Sequence, residues 1–543
     1  MTARRKSTSG PRWEVQGRKP PMNGHRESDR PMVPTKPPNK GDDREHRSDG
    51  RPQTGTKVET LDTAKGTPEA GSGNGRSTAE GVEGKGLAKG NSRRQNTVRT
   101  QDRETVSSAL ERIGLAARRD KRMKFTTLMH HIYSLATLRE AYFGLKRNAA
   151  PGIDETTWQE YGVNLEGNIS DLSERLKRGA YRAKPARRVL IPKADGGQRP
   201  LAVTALEDKL VQRATSSVLQ SIYEEDFLGF SYGFRPGRGP HDALDALVVG
   251  IKRKRVNYVL DADIRGFFDS TSHEWLVKFV EHRVSDRRII RLIQKWLTAG
   301  VLEDGAWRPS EMGTPQGSGI SPILANVYLH YAFDLWAHDW RKRAQGDVII
   351  VRFVDDFIVG FETETDARQF WADLAERLAK FGLALHPEKS RLLEFGRFAA
   401  KSRRRNGRGK PETFDFLGFT HVCGTTRGGK FQVLRQTARK RLRRKLHETS
   451  TELRRRMHDP VPEVGKYLRS VVQGHLNYYG VPMNHRAPRR FRDQVAWLWR
   501  RVLSRRSQKA SVSWARMSRL VARWLPPVRV THPYPEERLC LTT

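Results

Sequence analysis

At 543 residues and a formal net charge of +39, the chain is too long for one ordinary domain, and its basicity calls for a polyanionic partner. Arginine outnumbers lysine, which suits bidentate phosphate contacts and stacking on bases. Two cysteines, Cys423 and Cys540, exclude a disulfide framework or a cysteine zinc site, and no apolar run approaches the ~18 residues of a membrane span or forms a signal-peptide core. A cytoplasmic protein in the company of nucleic acid is expected, with no membrane partner.

Residues 1–105 are rich in Gly, Pro, Ser, Thr and mixed charge, a composition that cannot bury enough surface to offset its ordering entropy. A disordered tail is expected there, with order beginning near Val106. Leu110, Ile113 and Leu115, then Leu128, Ile132, Leu135, Leu138, Tyr142 and Leu145, recur at helical spacing until Ala150-Pro151-Gly152-Ile153-Asp154 breaks the pattern. Leu165, Ile169, Leu172 and Leu176 mark another amphipathic helix.

Val189-Leu190-Ile191-Pro192-Lys193 and Gln198-Arg199-Pro200-Leu201 flank the turn Ala194–Gly197, a hairpin that brings Lys193 and Arg199 together. Two cations beside a tight turn suit a triphosphate, although solvated charge on an exposed hairpin would read the same way. Residues 206–223 look helical. Ser231–Arg238 is a basic, glycine-punctuated loop, and its Arg235 and Arg238 are candidate nucleic-acid contacts. Tyr258–Ile264 reads as a strand in which Asp261 and Asp263 share one face by the period of two. An acid in such an apolar strand is costly unless it is paired or binds a metal.

One long helix is expected over residues 274–299. The loop Gly313–Pro322 follows, and its three glycines permit close backbone approach to a ligand near Gln316. A helix through Leu324, Val327, Tyr328, Tyr331 and Leu335 leads into Ile349–Phe361. There two apolar, β-branched and aromatic runs flank Asp355-Asp356, a buried hairpin with a carboxylate pair at its tip. Alone, that pair reads as an ordinary acidic turn; adjacent buried carboxylates repel one another unless a cation joins them. After a helix over 367–381 and a basic loop at 401–410, a helical stripe through Leu442, Leu446 and Leu453 carries Arg443, Arg444 and Lys445, candidate RNA contacts on an outward face. Further helices complete a basic C-terminal unit from residue 434.

Nucleotidyl transfer uses two divalent ions roughly 3.5–4 Å apart, and Mg²⁺ takes carboxylate oxygens. One aspartate from a strand and two from a neighbouring hairpin meet that need: Asp263, Asp355 and Asp356, as catalytic residues and metal ligands for two Mg²⁺, with Mn²⁺ as a possible substitute. Lys193 and Arg199 would hold a triphosphate, and Gln316 would line the nucleotide.

These motifs, in this order, resemble those of group II intron-encoded reverse transcriptases, or maturases. The segments that carry the resemblance are Leu145–Asp154, Ile191-Pro192-Lys193 through Arg199-Pro200-Leu201, Asp263–Asp269, Thr314-Pro315-Gln316-Gly317, Phe353–Asp356, His386–Lys389 and Phe416–Phe419. The resemblance implies an α+β right-hand polymerase: an extension of the fingers at 106–185, fingers and palm with an antiparallel sheet at 186–420, and an α-helical thumb/maturase domain at 434–543. It implies an RNA-directed DNA polymerase that also assists splicing, with intron RNA, a DNA primer or target and dNTPs as partners, in a bacterial cytoplasm. It implies that Asp263, not Asp261, is the first-strand ligand. It further implies that Phe268 packs against the sugar and disfavours a 2′-OH, and that Lys389 donates a proton to pyrophosphate.

Three departures accompany the likeness. Phe353-Val354 replaces the usual Tyr-Ala, and Glu155 stands where glycine is usual. No Cys/His-rich endonuclease module follows Pro535, which leads to the expectation of priming from an existing DNA 3′ end. Competing readings are a splicing factor whose polymerase has lapsed, an RNA-dependent RNA polymerase, and a host-adopted reverse transcriptase. Intact aspartates count against the first, and Phe268 and the C-terminal unit against the second.

Overall fold

The chain's strongest β-branched runs form its innermost strands. The structure, a computed structural model, describes residues 84–192, 197–303, 305–507 and 511–539, with side chains from residue 99. Its strands in chain order are β1 (Ala186–Pro192), β2 (Gln198–Val203), β3 (Tyr258–Asp263), β4 (Val301–Glu303), β5 (Ala306–Arg308) and β6 (Val348–Phe353). There follow β7 (Asp356–Phe361), β8 (Arg391–Glu394), β9 (Phe414–Phe416), β10 (Phe419–Thr425) and β11 (Phe431–Thr437).

The central sheet has the order β6-β7-β3-β8 and is antiparallel throughout. Its strands alternate between two cores, as a period of two requires when both faces are covered. Leu260, Ala262, Ile350, Phe357, Val359 and Phe361 face one core, which includes the helices Leu206–Tyr223, His273–Glu281, Arg287–Thr298 and Ser321–Leu329. Val259, Ile349, Val351, Ile358 and Leu393 face the other, under the helix Pro240–Arg253. A second sheet, β2-β1-β4-β5, is antiparallel except for the parallel β1–β4 pair, and β11-β10-β9 forms a third. Beyond it, the helices Arg439–Arg455, Val461–Tyr479, Arg486–Leu503 and Trp514–Trp524 close a separate core around Trp499, Phe491, Leu468 and Leu453. The content is mixed α and β with antiparallel sheets, as expected. Among the described residues no helix is long and apolar enough to cross a membrane.

Several boundaries differ from expectation. The greater part of the expected tail lies outside the described residues, but its last stretch belongs to a helix, Gly84–Arg119. Polar contacts tie that helix down where apolar ones are few: Asp102 pairs with Arg139 at 2.5 Å, and Arg99 lies over the Phe143 ring. The expected helix over 274–299 is two, His273–Glu281 and Arg287–Thr298, because Asp286 caps the second by accepting from Arg288 N at 3.0 Å. The expected basic loop at 401–410 includes the helix Ala399–Arg405. Residue 434 falls inside β11, so the helical unit begins at Arg439. Glu155 adopts φ +53°, a left-handed conformation that explains why glycine is usual at that turn.

Asp286 also accepts from Leu128 N at 2.9 Å and Met129 N at 3.0 Å, joining two helices across 158 residues of chain. Burial pushes its carboxyl up, but these backbone donors more than offset that and hold it below the usual carboxylate range. Its contribution to stability is therefore present above the unfolded carboxyl's pKa and lost as pH falls through the lower folded value. Asp286→Ala is expected to cost about 3 kcal/mol at neutral pH, from one lost cap and two stranded buried donors. In denaturant titrations the gap between wild type and variant should narrow as the wild-type carboxyl protonates; a gap that widened in acid would contradict the assignment.

Candidate active site

Register brings the acids together. In the β3–β7 pair, Asp263 lies directly opposite Asp356, and Asp261 lies two residues earlier on the same face. β6 and β7 are joined by the two-residue turn Val354-Asp355, since Phe353 pairs with Asp356. Burial pushes the Asp356 carboxyl well above the usual range, and Asp261, Asp355 and Asp263 add to the push while Arg441 opposes it. Burial likewise raises Asp355, whose neighbours include Asp263 and the opposing Arg199 and Arg352. Asp261 is pushed up to about 6 by burial against the pull of Arg391, whose Nη2 stands 3.3 Å from Oδ2.

Crowded carboxylates of this kind favour a nearby cation. The Lys389 ammonium meets Asp263 Oδ2 at 2.9 Å. Among the described residues no three acidic, histidine or cysteine side chains converge closely enough to enclose an ion. The donor chemistry still fits a hard divalent cation: oxygen ligands only, mutually repelling and partly buried. Asp263 would exchange its ammonium partner for such an ion.

On one flank, β2 meets the glycine loop. Arg199 Nε donates to Gln316 Oε1 at 3.0 Å, and Ala202 N donates to the Gln316 carbonyl at 2.6 Å. Gly313 and Gly317, at φ +85° and +105°, let the loop turn where a Cβ would meet the Phe268 and Ala202 carbonyls at 2.8 and 2.9 Å. Between loop and strand lies a cleft of about 390 Å³ lined by Arg188, Ala202, Phe268, Met312 and Gln316 among others. Phe268 is half-buried in it, braced edge-on by Phe267 at 5.3 Å. Arg199, Gln316 and Phe268 therefore converge; Lys193 lies outside the described residues.

The other flank comes from the C-terminal helices. Phe353, beside the turn, lines a cavity of about 620 Å³ with Leu417, Gly418, Arg441, Arg444, Lys445, Tyr478 and Tyr479. Arg441, Arg444 and Lys445 share a helix face at spacings of three and four, whereas the exposed Arg443 does not line this cavity. Sequence reading overlooked Arg441, although the same spacing, counted back from Arg444 and Lys445, could have found it.

Of the two expected nucleic-acid contacts on the Ser231–Arg238 loop, Arg235 is buried, against expectation, and Arg238 is half-buried. Arg235 is 5% exposed, and its guanidinium donates to Glu224 and to the Leu228 and Ser231 carbonyls. Arg238 donates to the Gly229 carbonyl at 2.6 Å and lies over the Tyr232 ring. Both brace the loop on which they sit, because carbonyls left free by its tight turns need donors.

The family "Reverse transcriptase (RNA-dependent DNA polymerase)" matches residues 191–421. The chain is 34% identical over 240 residues to Protein YkfC of Escherichia coli, covering 43% of this chain and 63% of that one. It is 35% identical over 227 residues to the Group II intron-encoded protein LtrA of Lactococcus lactis, covering 41% of this chain and 37% of that one. An uncharacterized 91 kDa protein in the cob intron of Schizosaccharomyces pombe is 39% identical over 193 residues, 35% of this chain and 23% of that one. Each match spans less than two thirds of the relative.

The Asp355 turn packs on Gly233, where a Cβ would stand 2.4 Å from Val354 Cγ2 and 2.7 Å from Val354 N. Gly233→Ala is expected to destabilise by about 1–3 kcal/mol through overpacking. Adding Val354→Ala should recover part of that loss, and a double-mutant cycle in denaturant measures the coupling. Strict additivity would mean that the two residues do not press on one another.

Proposed function

We propose that this chain, which carries the reverse transcriptase domain of a group II intron-encoded protein, is an RNA-directed DNA polymerase that copies its intron RNA and assists that RNA's splicing. One observation carries the reading. The acids Asp263, Asp355 and Asp356 gather at the end of the central sheet, and a cation from each flank, Arg199 and Arg441, is close enough to bear on them.

In this reading the central sheet is the palm, the β1–β2 hairpin and its neighbours are the fingers, and the C-terminal helices are the thumb and maturase domain. Asp263, Asp355 and Asp356 would hold two Mg²⁺, which when bound activate the primer 3′-hydroxyl and neutralise the leaving pyrophosphate. Arg199, bonded to Gln316 of the 390 Å³ cleft, would bind the triphosphate of an incoming dNTP, together with Lys193, a residue outside the described ones. Gln316, held by Arg199 and by the Ala202 N–H, would present a fixed edge to the nucleotide. Phe268 would lie beneath the sugar and crowd a 2′-hydroxyl. Lys389, which pairs with Asp263, would deliver a proton to pyrophosphate.

Phe353 and the Leu417-Gly418 turn would seat the primer end. Arg441, Arg444 and Lys445 would follow the duplex backbone with contacts indifferent to sequence. Farther out on the same helical unit, Trp497 and Trp514 are 48% and 50% exposed, with Arg501 and Arg500 over their rings. Exposed indoles beside arginines suit unpaired bases of a folded RNA, which fits the maturase role. The DNA primer or target, and mobility by target-primed copying, complete the proposal.

Primer extension tests it. With Mg²⁺, an RNA template and a DNA primer, the wild-type protein should incorporate dNTPs, and Asp355→Ala should fall by at least about 10³-fold. Equal inactivity of both proteins, with splicing intact in both, would replace polymerase by splicing factor. Phe268→Ala should raise rNTP use relative to dNTP by about tenfold or more, read from single-nucleotide incorporation. Unchanged selectivity would reduce Phe268 to packing.

A further inference from the structure

The turn that carries Asp355 is held from behind by a charge with no exposed surface. The Arg352 and Asp334 side chains are each 0% exposed, and their closest N–O distance is 2.5 Å. A guanidinium has five N–H donors, and here every one meets an acceptor. Nε donates to Asp334 Oδ1 at 2.7 Å, and Nη2 to Asp334 Oδ2 at 2.5 Å and Ser231 Oγ at 2.7 Å. Nη1 donates to Asn326 Oδ1 at 3.2 Å and to the Val354 carbonyl at 3.1 Å.

The acceptors come from separate parts of the fold. Asp334 closes a π-helical turn, His330–Asp334, that interrupts an otherwise α-helical run from Ser321 to Arg341. Such an insertion shifts helical register by a residue, and it falls where Asp334 meets Arg352. Asn326 also donates to the Gly233 carbonyl at 2.7 Å, so the network includes the residue on which Val354 packs. Backbone bonds from Arg352 N to the Phe230 carbonyl and from Tyr232 N to the Arg352 carbonyl, both 2.9 Å, stitch the same loop to β6.

A buried ion pair is a poor source of stability, because desolvation consumes most of what Coulomb attraction returns. A well-packed apolar pair would fill the same space at less cost. The Val354 carbonyl supplies another reason for the charge. Val354 lies at φ +62°, a left-handed conformation that costs a β-branched residue about 1–3 kcal/mol and persists only where its surroundings over-determine it. Arg352 grips the peptide between Val354 and Asp355, the unit that sets where the Asp355 carboxylate stands.

We propose that Arg352 is a positioning residue: locked by Asp334, Asn326 and Ser231, it orients the Val354–Asp355 peptide and thereby aims the Asp355 and Asp356 carboxylates. The proposal rests on the reading of those aspartates as catalytic. It makes the buried pair a device for geometry, with folding as its lesser role.

The test separates geometry from stability. Arg352→Met combined with Asp334→Leu removes both charges at once and should melt within a few degrees of wild type. Its kcat for single-nucleotide incorporation should nonetheless fall about 30–100-fold, with the dNTP KM within about threefold of wild type. Arg352→Lys keeps a charge for Asp334 but cannot present five donors in a plane, and should show the same split. A folded variant of either kind with kcat within twofold of wild type would overturn the proposal. So would failure of both to fold, which would make the pair a stability element. An Asp355→Ala protein as active as wild type is a different failure, one that refutes the reading of the site itself.

Discussion

Four carboxylates, three on one face of a sheet and one in the adjoining turn, cannot crowd together without cations. That constraint organises the middle of this protein. Burial and neighbouring acids raise the carboxyls of Asp261, Asp355 and Asp356, and each flank answers with a base. Lys389 and Arg391 come from the segment around β8, Arg199 from the second sheet, and Arg441 from the C-terminal helices. Parts of the chain more than two hundred residues apart are drawn to one place by a shortage of positive charge. The same shortage favours a further cation at that place.

Holding such a cluster in register is a separate problem from neutralising it. The sheet solves part of it, since antiparallel pairing sets Asp263 against Asp356. The turn is solved from beneath, by Arg352 and by the bare backbone of Gly233. Both devices bring rigid elements to bear on two residues, Val354 and Asp355, whose conformation a free chain would not prefer. Valine, where the reverse transcriptases that this chain resembles usually have alanine, adds methyl groups that fill the space over Gly233. The exchange tightens the support without touching a carboxylate.

Arginine serves two purposes in this molecule, and residue type alone does not distinguish them. Arg235, Arg352 and Arg435 are almost wholly buried and satisfy carbonyls or buried acids. Arg435 pairs with Asp245, which also receives Arg538, so the segment near the C-terminus is fastened to the helix under the central sheet. Arg441 and Arg444 are exposed and face a cavity beside the acidic turn. The net charge of +39 therefore counts struts together with contacts, and only the second group is available to a polyanion.

Much was legible without coordinates. Strands with apolar alternation, the helix Leu206–Tyr223, the glycine loop and the three aspartates all declare themselves by local pattern, because period, turn chemistry and the cost of a buried acid are local matters. Those patterns were enough to suggest the chemistry proposed for the site. What tertiary structure alone decided depends on residues distant in sequence. The bridge from Asp286 to the Leu128 N–H spans 158 residues, the helix before Val106 is tied down by Arg139, and the burial of Arg235 answers carbonyls that only a folded loop presents. The acidic turn itself shows both limits. Its aspartates stand out in the sequence, but Arg352 beside them looks like one more base in a basic chain. Only the fold places Asp334, Asn326 and Ser231 around it, since five hydrogen bonds to one guanidinium are a property of packed surfaces, which no linear pattern encodes.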